Sequence, residues 1–458
     1  MENTQKNTGK IGHWLKNSIT ARMFMIAFLI LVLLIPLSYI QDLISERSKR
    51  KEGVVKEISE KWGGEVLFYG PVLKVPYKTF QEKTVTDQNT KKVYTEITES
   101  INYAYFFPEN LAIDTRIDPE EKYYGIYKTS VFESKMDISG VFTKPDFSEQ
   151  EISDEHILWD KAKIIIRTSN LKGVNNKLQI NFNENHYNFE SKYSVKAGHG
   201  NSYTPLHTVE SSVLLKEDLP LKSGTDFHLS LHIKGSQQIS FVPVGKETTA
   251  KISSHWKTAN FFGEFLPYNE NKIHKDGFDA RWKVLDINRP FSQQHFNQLP
   301  DLNEFAFGVN FMIPVDEYQK SDRSAKYGFL VISLTFLIFF LIQTMSKIGI
   351  HPFQYLMIGL ALTMFYTLLL SISEHSNFFR AYLVAGSSVV ALITVYSHSI
   401  LKTRKFSAFI FLSLTVLYSF IYVIIQLENY ALLVGSIGLF LILATVMFIS
   451  RKVDWGHS

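Results

Sequence analysis

MFMIAFLILVLLIPLSYI, residues 23–40, carries no charged side chain and is bounded by Arg22 and Asp42. Crossing the ~30 Å hydrocarbon core of a bilayer takes about 20 mostly apolar residues, so this run is long enough to span one. A cleaved signal peptide is the rival reading. The apolar core of a signal is usually ~7–15 residues long and is followed by a small-x-small cleavage site. Neither feature fits, and the run reads as an uncleaved anchor with Pro36 in its outer third, where a kink is tolerated.

Five more runs follow at 327–346, 352–372, 381–396, 406–425 and 430–449. Each is too long and too apolar for an ordinary core helix. The run 381–396 is diluted by Ser387, Ser388 and Thr394, and Gly359 within 352–372 permits close helix packing. Tight connections such as QLEN (426–429) make the last five antiparallel neighbours. Tyr327, Tyr355, Tyr396, Tyr430 and Trp455 suit interfacial anchoring.

Orientation follows from lysine and arginine near the span ends. A cytoplasmic N-terminus places Lys6, Lys10, Lys16, Arg22, Lys347, Lys402, Arg404, Lys405, Arg451 and Lys452 inside. The short outer loops then hold only Arg380, with Glu374 and Glu428 beside it. Residues 1–22 and 450–458 are thus expected in the cytoplasm and 41–326 outside it. The chain has 458 residues and a net charge of +4 with dispersed basic residues, which leaves no footprint for nucleic acid. It has no cysteine, which removes disulfides and thiol chemistry.

After the anchor, Leu43, Ile44, Val54, Val55, Ile58 and Trp62 recur at helical spacing, which predicts an amphipathic connector helix over 41–64, ended by Gly63-Gly64. The pattern then changes period. EVLFYGPVLKVPYKTF (65–80), KVYTEITESINYAYF (92–106), KAKIIIRTS (161–169), KLQINFN (177–183), FHLSLHIKG (227–235), QQISFVPVG (237–245), TTAKISSHW (248–256) and FAFGVNFMIP (305–314) are β-rich and separated by breakers. The expected fold is therefore a membrane protein: a six-helix transmembrane bundle plus a large all-β, antiparallel sandwich-like extracytoplasmic domain over 65–326, in one or two packed halves.

Motifs that carry chemistry are scarce. The sequence holds no GxSxG, Walker loop, HExxH or EF-hand loop, and the expectation is a non-enzyme without cofactor. His228 and His232 share a strand face but have no third ligand beside them in sequence, so two surface histidines are favoured over a metal site. Glu120-Glu121 and Asp316-Glu317 read as solvated charge. The span centres lack Asp, Glu, Lys and Arg, which argues against a pump or channel. Polar features sit at the ends of 352–372: His351-Pro352 at its start and Glu374-His375 at its end. These four are candidate functional residues at the membrane edge; the plainer reading is that Pro352 starts a helix and Glu374-His375 caps a loop.

HPFQYLMIGLALTMFYTLLLSISEH (351–375) resembles the signature of the CreD family of bacterial inner-membrane proteins. YGPVLKVPY (69–77), GSQQISFVPVGKETTAKISSHW (235–256), FFGEFLP (261–267), GFDARW (277–282), DEYQKSDRSAKYGFL (316–330) and LLVGSIGLFLILATVMFISRKVDW (432–455) agree in order, while 81–235 matches least. The resemblance implies an inner-membrane address with a periplasmic domain and a role in cell-envelope integrity. It also implies links to a two-component system responding to carbon source and cell-wall-directed antibiotics, and to tolerance of an E-type colicin. It supplies no catalytic residues.

The leading expectation is a non-enzymatic envelope protein, with the bilayer and envelope proteins as partners and no ligand identified. Asp322, Arg323 and Lys326 are expected at the junction between domain and membrane, setting domain orientation. A second reading is a periplasmic sensor or regulator whose partner surface is Phe261, Phe262, Glu264 and Phe265, against the plainer reading that this cluster packs in the core. A third is a transporter or lipid-handling protein, which needs a polar path or a lipid-sized groove.

Overall fold

The computed structural model describes residues 19–86, 93–192, 206–220, 224–311, 317–346, 348–427 and 430–451. Lys6, Lys10, Lys16, Lys347, Asp316, Glu428, Lys452 and Trp455, used in the sequence reading, lie outside them. The chain divides into a helical unit, Met1–Glu52 with Val315–Ser458, and a β unit, Gly53–Pro314.

In the helical unit, α1 (Ile19–Trp62) runs without a break from the anchor through the segment expected to be a separate connector. Its 44 residues extend about 66 Å at 1.5 Å per residue, and those from Gly53 onward belong to the β unit. The helix continues because 41–62 contains one glycine and no proline, so nothing in the sequence stops it before Gly63-Gly64. Then come α2 (Glu317–Lys326), α3 (Gly328–Ser346), α4 (Pro352–Ser373), α5 (Phe378–Leu401), α6 (Arg404–Gln426) and α7 (Ala431–Ser450). Six of these helices, all but α2, are long and apolar enough to cross a membrane.

Packing within this unit follows a narrow seam. Ile26, Leu33, Leu37 and Ile44 of α1 are buried, while Phe24, Phe28, Leu31, Ile35 and Tyr39 face outward as lipid-facing residues would. Gly359 of α4 makes this approach possible: a Cβ there would stand 2.1 Å from Leu33 Cδ1 and 3.0 Å from Phe336 Cζ. The serines and threonine that dilute 381–396 do not interrupt α5. Ser387 and Ser388 donate to the Val384 carbonyl and Thr394 to that of Val390, so their hydroxyls are satisfied within the helix.

The β unit contains β1 (Val66–Thr86), β2 (Val93–Phe106), β3 (Asn110–Tyr124), β4 (Tyr127–Phe142), β5 (Lys163–Thr168), β6 (Gln179–Phe182), β7 (Asn185–Ser191) and β8 (His207–Ser211). It continues with β9 (Thr225–Ser236), β10 (Gln238–Phe241), β11 (Glu247–Ser254), β12 (Ala259–Gly263), β13 (Ile273–His274), β14 (Gly277–Leu285), β15 (Gln294–Phe296) and β16 (Phe307–Phe311). Every β-rich run quoted above contains one of these strands. Alternation places them: in β3, Leu111, Ile113, Thr115 and Ile117 are buried while Ala112, Asp114 and Arg116 are exposed.

The pairing corrects the expected all-antiparallel sandwich. The strands form one hydrogen-bonded sheet in the order β12-β16-β10-β1-β5-β8-β7-β6-β9-β4-β3-β11-β14-β13, with β2 and β15 branching from β1. Two pairings are parallel, β1 with β10 and β11 with β3. Strand β7 turns the corner, pairing β6 through Asn185–Asn188 and β8 through Phe189–Ser191. The sheet curls until its far ends meet. Phe261 of β12 lies 5.7 Å from Phe278 and 5.9 Å from Trp282 of β14, and Phe132 of β4 lies 5.1 Å from Phe311 of β16. The core therefore sits inside a near-barrel, and fully buried Tyr69, Phe241, Trp282 and Phe307 help fill it.

Candidate functional site

Among the residues singled out from sequence, Glu374 acquires the richest surroundings. It is the C-cap of α4, and its side chain is 13% exposed. The Tyr318 hydroxyl of α2 donates to Glu374 Oε1 at 3.1 Å, and Arg47 Nε of α1 stands 3.8 Å from the same oxygen. Next to it, the Phe378 backbone N–H that starts α5 donates to Glu317 Oε2 at 2.9 Å, so a carboxylate meets the positive end of a helix. Lys320 Nζ lies 5.7 Å from the Phe378 ring and Lys51 Nζ lies 5.9 Å from that of Tyr318. Gln41 Nε2 of α1 donates to the Ala325 carbonyl at 3.3 Å.

These contacts fix α2 against α1 and the α4–α5 turn at one end of the helical unit. The helix is amphipathic, with Tyr318, Ser321, Ser324 and Ala325 buried, and that face lets ten polar-rich residues hold a helix. Glu317, read from sequence as solvated charge, instead accepts the N–H that opens α5, while Tyr318 stands in the quoted DEYQK without any role expected of it, because α2 lies within the stretch expected to be all-β. Of the expected junction residues, Asp322 and Lys326 pair with each other at 2.7 Å, one helical turn apart and partly exposed, a contact of small energetic weight. Arg323 is half-buried on the same helix. His375 is exposed. At the other end of α4, His351 is the N-cap, its Nδ1 accepting from the Phe353 N–H at 3.2 Å while Gln354 Oε1 accepts from the His351 N–H at 2.8 Å. With Pro352 at the first turn, the pair starts the helix.

The proposed partner surface is drawn largely into the core. Phe261 meets Phe278 and Trp282, Phe265 lies 6.3 Å from Phe307, and the Phe265 carbonyl accepts from Trp282 Nε1 at 3.0 Å. Phe262 is half-buried and Glu264 is exposed. His228 and His232 stand on the exposed face of β9, about 13 Å apart along the strand, too far to share an ion. Among the described residues no group of three or more His, Asp or Glu converges as a metal site.

Two buried polar knots of the β unit went unnoticed in the sequence. Glu210 of β8, 7% exposed, receives Lys74 Nζ at 2.8 Å, Lys192 Nζ at 2.9 Å and Lys163 Nζ at 3.4 Å. Burial pushes its carboxyl up, but hydrogen bonds and charge from Lys74 and Lys192 prevail and hold it at about 2. Asp218 is bonded by the Tyr187 hydroxyl, by Asn183 Nδ2 at 3.0 Å and by Asn185 Nδ2 at 2.9 Å. Both knots are saturated by their own neighbours and organise the fold.

The family model described as "Inner membrane protein CreD" matches residues 18–456. The chain is also similar to "Inner membrane protein CreD" of Escherichia coli (strain K12), with 28% identity over 445 residues that cover 96% of this chain and 94% of that protein. A match across both units, including the segment that forms α2, establishes that this chain belongs to the CreD family.

Proposed function

We propose that this is a non-enzymatic inner-membrane protein that supports cell-envelope integrity, with its β unit outside the cytoplasm and both termini inside. The observation that carries the orientation is the charge on the short connections between the apolar helices. Arg22 near the start of α1, Lys402 capping α5, Arg404 and Lys405 opening α6 and Arg451 capping α7 belong to one end, whereas the α4–α5 turn at the other end carries Glu374 and a single cation, Arg380. The positive-inside rule counts short loops, not the cations of α1 and α2 that adjoin the large β unit in sequence, and it supports a cytoplasmic first end. Family membership supports the envelope role.

The cluster of Arg47, Glu317, Tyr318 and Glu374 is the proposed mechanical element. Through it α2, the helix that follows the β strands in sequence, is tied to the membrane helices. Asp322, Arg323 and Lys326 keep the junction role expected for them as a secondary part of this proposal.

Deleting the gene and measuring survival under detergent and cell-wall-directed antibiotics tests the role. The parent sequence is expected to restore resistance, and Tyr318→Phe combined with Glu374→Gln to restore less of it at equal protein level. The lost bonds amount to about 1–3 kcal/mol. A deletion strain as resistant as its parent would overturn the proposal.

A further inference from the structure

Lys74 of β1 and Lys163 of β5 stand directly opposite each other in the antiparallel ladder, where like charges repel. Lys192, just past β7, is brought beside them by its backbone N–H, which donates to the Thr208 carbonyl at 3.3 Å. All three ammonium groups share one carboxylate, with Lys74 on Glu210 Oε1 and both Lys163 and Lys192 on Oε2. Glu210 is satisfied by this arrangement, but the lysines are not. Each ammonium carries three N–H donors and gives one to Glu210. Elsewhere on the β unit a lysine has a carboxylate to itself, as in Lys246–Glu109 and Lys283–Glu247.

A fourth cation lies on the same face. Arg167 stands four residues from Lys163 along β5, in register with Thr208, with its guanidinium 5.8 Å from the Tyr69 ring. It makes no salt bridge among the described residues. Glu190, opposite Glu210 in register, is exposed, and exposed Asp301 accepts from the Asn303 N–H; neither pairs with these cations. Solvent reaches the group, since the side chains of Lys192 and Lys163 are 59% and 26% exposed. Tyr103 borders it with a 37% exposed ring, whose centre lies 4.2 Å from Lys74 Nζ. Ammonium groups are point charges without the flat fork that matches a carboxylate, and several around one position suit a tetrahedral phosphate. Lys74 and Lys163 stand back from the surface beside Lys192, so a small ester can approach them more closely than a flat lipid surface can.

We propose that this face of the β unit binds a small soluble phosphate monoester, with the phosphate on Lys163 and Lys192 and the body of the ester along Tyr103. Arg167 adds to the positive field that draws the anion in. The bound phosphate supplies the negative charge that Glu210 alone does not, and so relieves the repulsion between the opposed lysines. The inference concerns the β unit alone and does not depend on which side of the membrane the unit occupies.

The test uses the full-length protein in phosphatidylcholine nanodiscs, titrated by calorimetry at constant ionic strength with phenyl phosphate, inorganic phosphate, benzoate and phenol. Saturable binding of phenyl phosphate, tighter than that of inorganic phosphate or benzoate and without binding of phenol, is the expected result. It should weaken about tenfold in Lys192→Gln, a variant of an exposed side chain, and less in Lys192→Arg. In the unaltered protein, phenyl phosphate should also protect Lys163 and Lys192 from acetylation by an N-hydroxysuccinimide ester, read by mass spectrometry. No saturable binding, an ester bound no more tightly than inorganic phosphate or benzoate, undiminished binding in Lys192→Gln, or absence of protection would each overturn the assignment. So would capture of phosphatidate vesicles by a protein that ignores phenyl phosphate, which would point to a lipid surface instead.

Discussion

Replacing Trp282 by alanine is expected to destabilise the β unit by about 3–5 kcal/mol, measured by equilibrium denaturation of the purified protein. Trp282 is 1% exposed, and its ring lies 5.4 Å from Phe307 of β16 and 5.9 Å from Phe261 of β12. It belongs to one end of the strand order while both of those partners belong to the other, so it closes the curl. Truncation removes that contact and also leaves the Phe265 carbonyl without the indole N–H. Trp282→Phe keeps most of the ring packing and should cost less. Equal loss from both substitutions would mean that the indole N–H, rather than ring volume, holds the two ends together.

Glu210→Gln should have the second large effect, and its sign depends on pH. The Glu210 carboxyl sits at about 2 against an ordinary 4.5, so its folded-state value is depressed. Such a group contributes stability that is complete above 4.5 and is lost as pH falls from there toward 2. The difference of 2.5 corresponds to about 3 kcal/mol at neutral pH, an upper figure because Lys192 is largely exposed and screened. The glutamine variant should be less stable at pH 7 and should lose less on acidification between pH 5 and 2. Parallel acid limbs for the two proteins would show that the three lysines contribute nothing through Glu210.

Local pattern and long-range pairing differ in how far the sequence could disclose them. Each quoted β-rich run contains a strand because alternation and breakers are local signals. The six apolar helices emerge from length and composition alone. Pairing is different: Val66 of β1 meets Ile239 of β10 in parallel, and nothing in either segment specifies a neighbour so far along the chain. The same limit leaves FFGEFLP with two readings in sequence, since a dense aromatic run looks alike whether it faces solvent or the core; Phe261 and Phe265 pack against the core, as the plainer reading expects.

At the candidate site, Glu374 stood out because an acid beside an apolar span is unusual. Tyr318 did not, and Glu317 read only as solvated charge, because their importance lies in partners on α4 and α5, more than fifty positions away. Gly359 was readable since a glycine in an apolar helix has few uses other than close approach. The grouping of Lys74, Lys163 and Lys192 was not, because lysines far apart in a chain look solvated until strand pairing brings them together.

The absence of cysteine makes the central claim directly testable by single-cysteine labelling in an otherwise unaltered chain. Ile287, 86% exposed on the β unit, and Lys402, exposed at the end of α5, are suitable positions. With a membrane-impermeant maleimide on intact spheroplasts, Ile287→Cys should label at once and Lys402→Cys only after the membrane is opened. The reverse order would place the β unit in the cytoplasm and contradict the account.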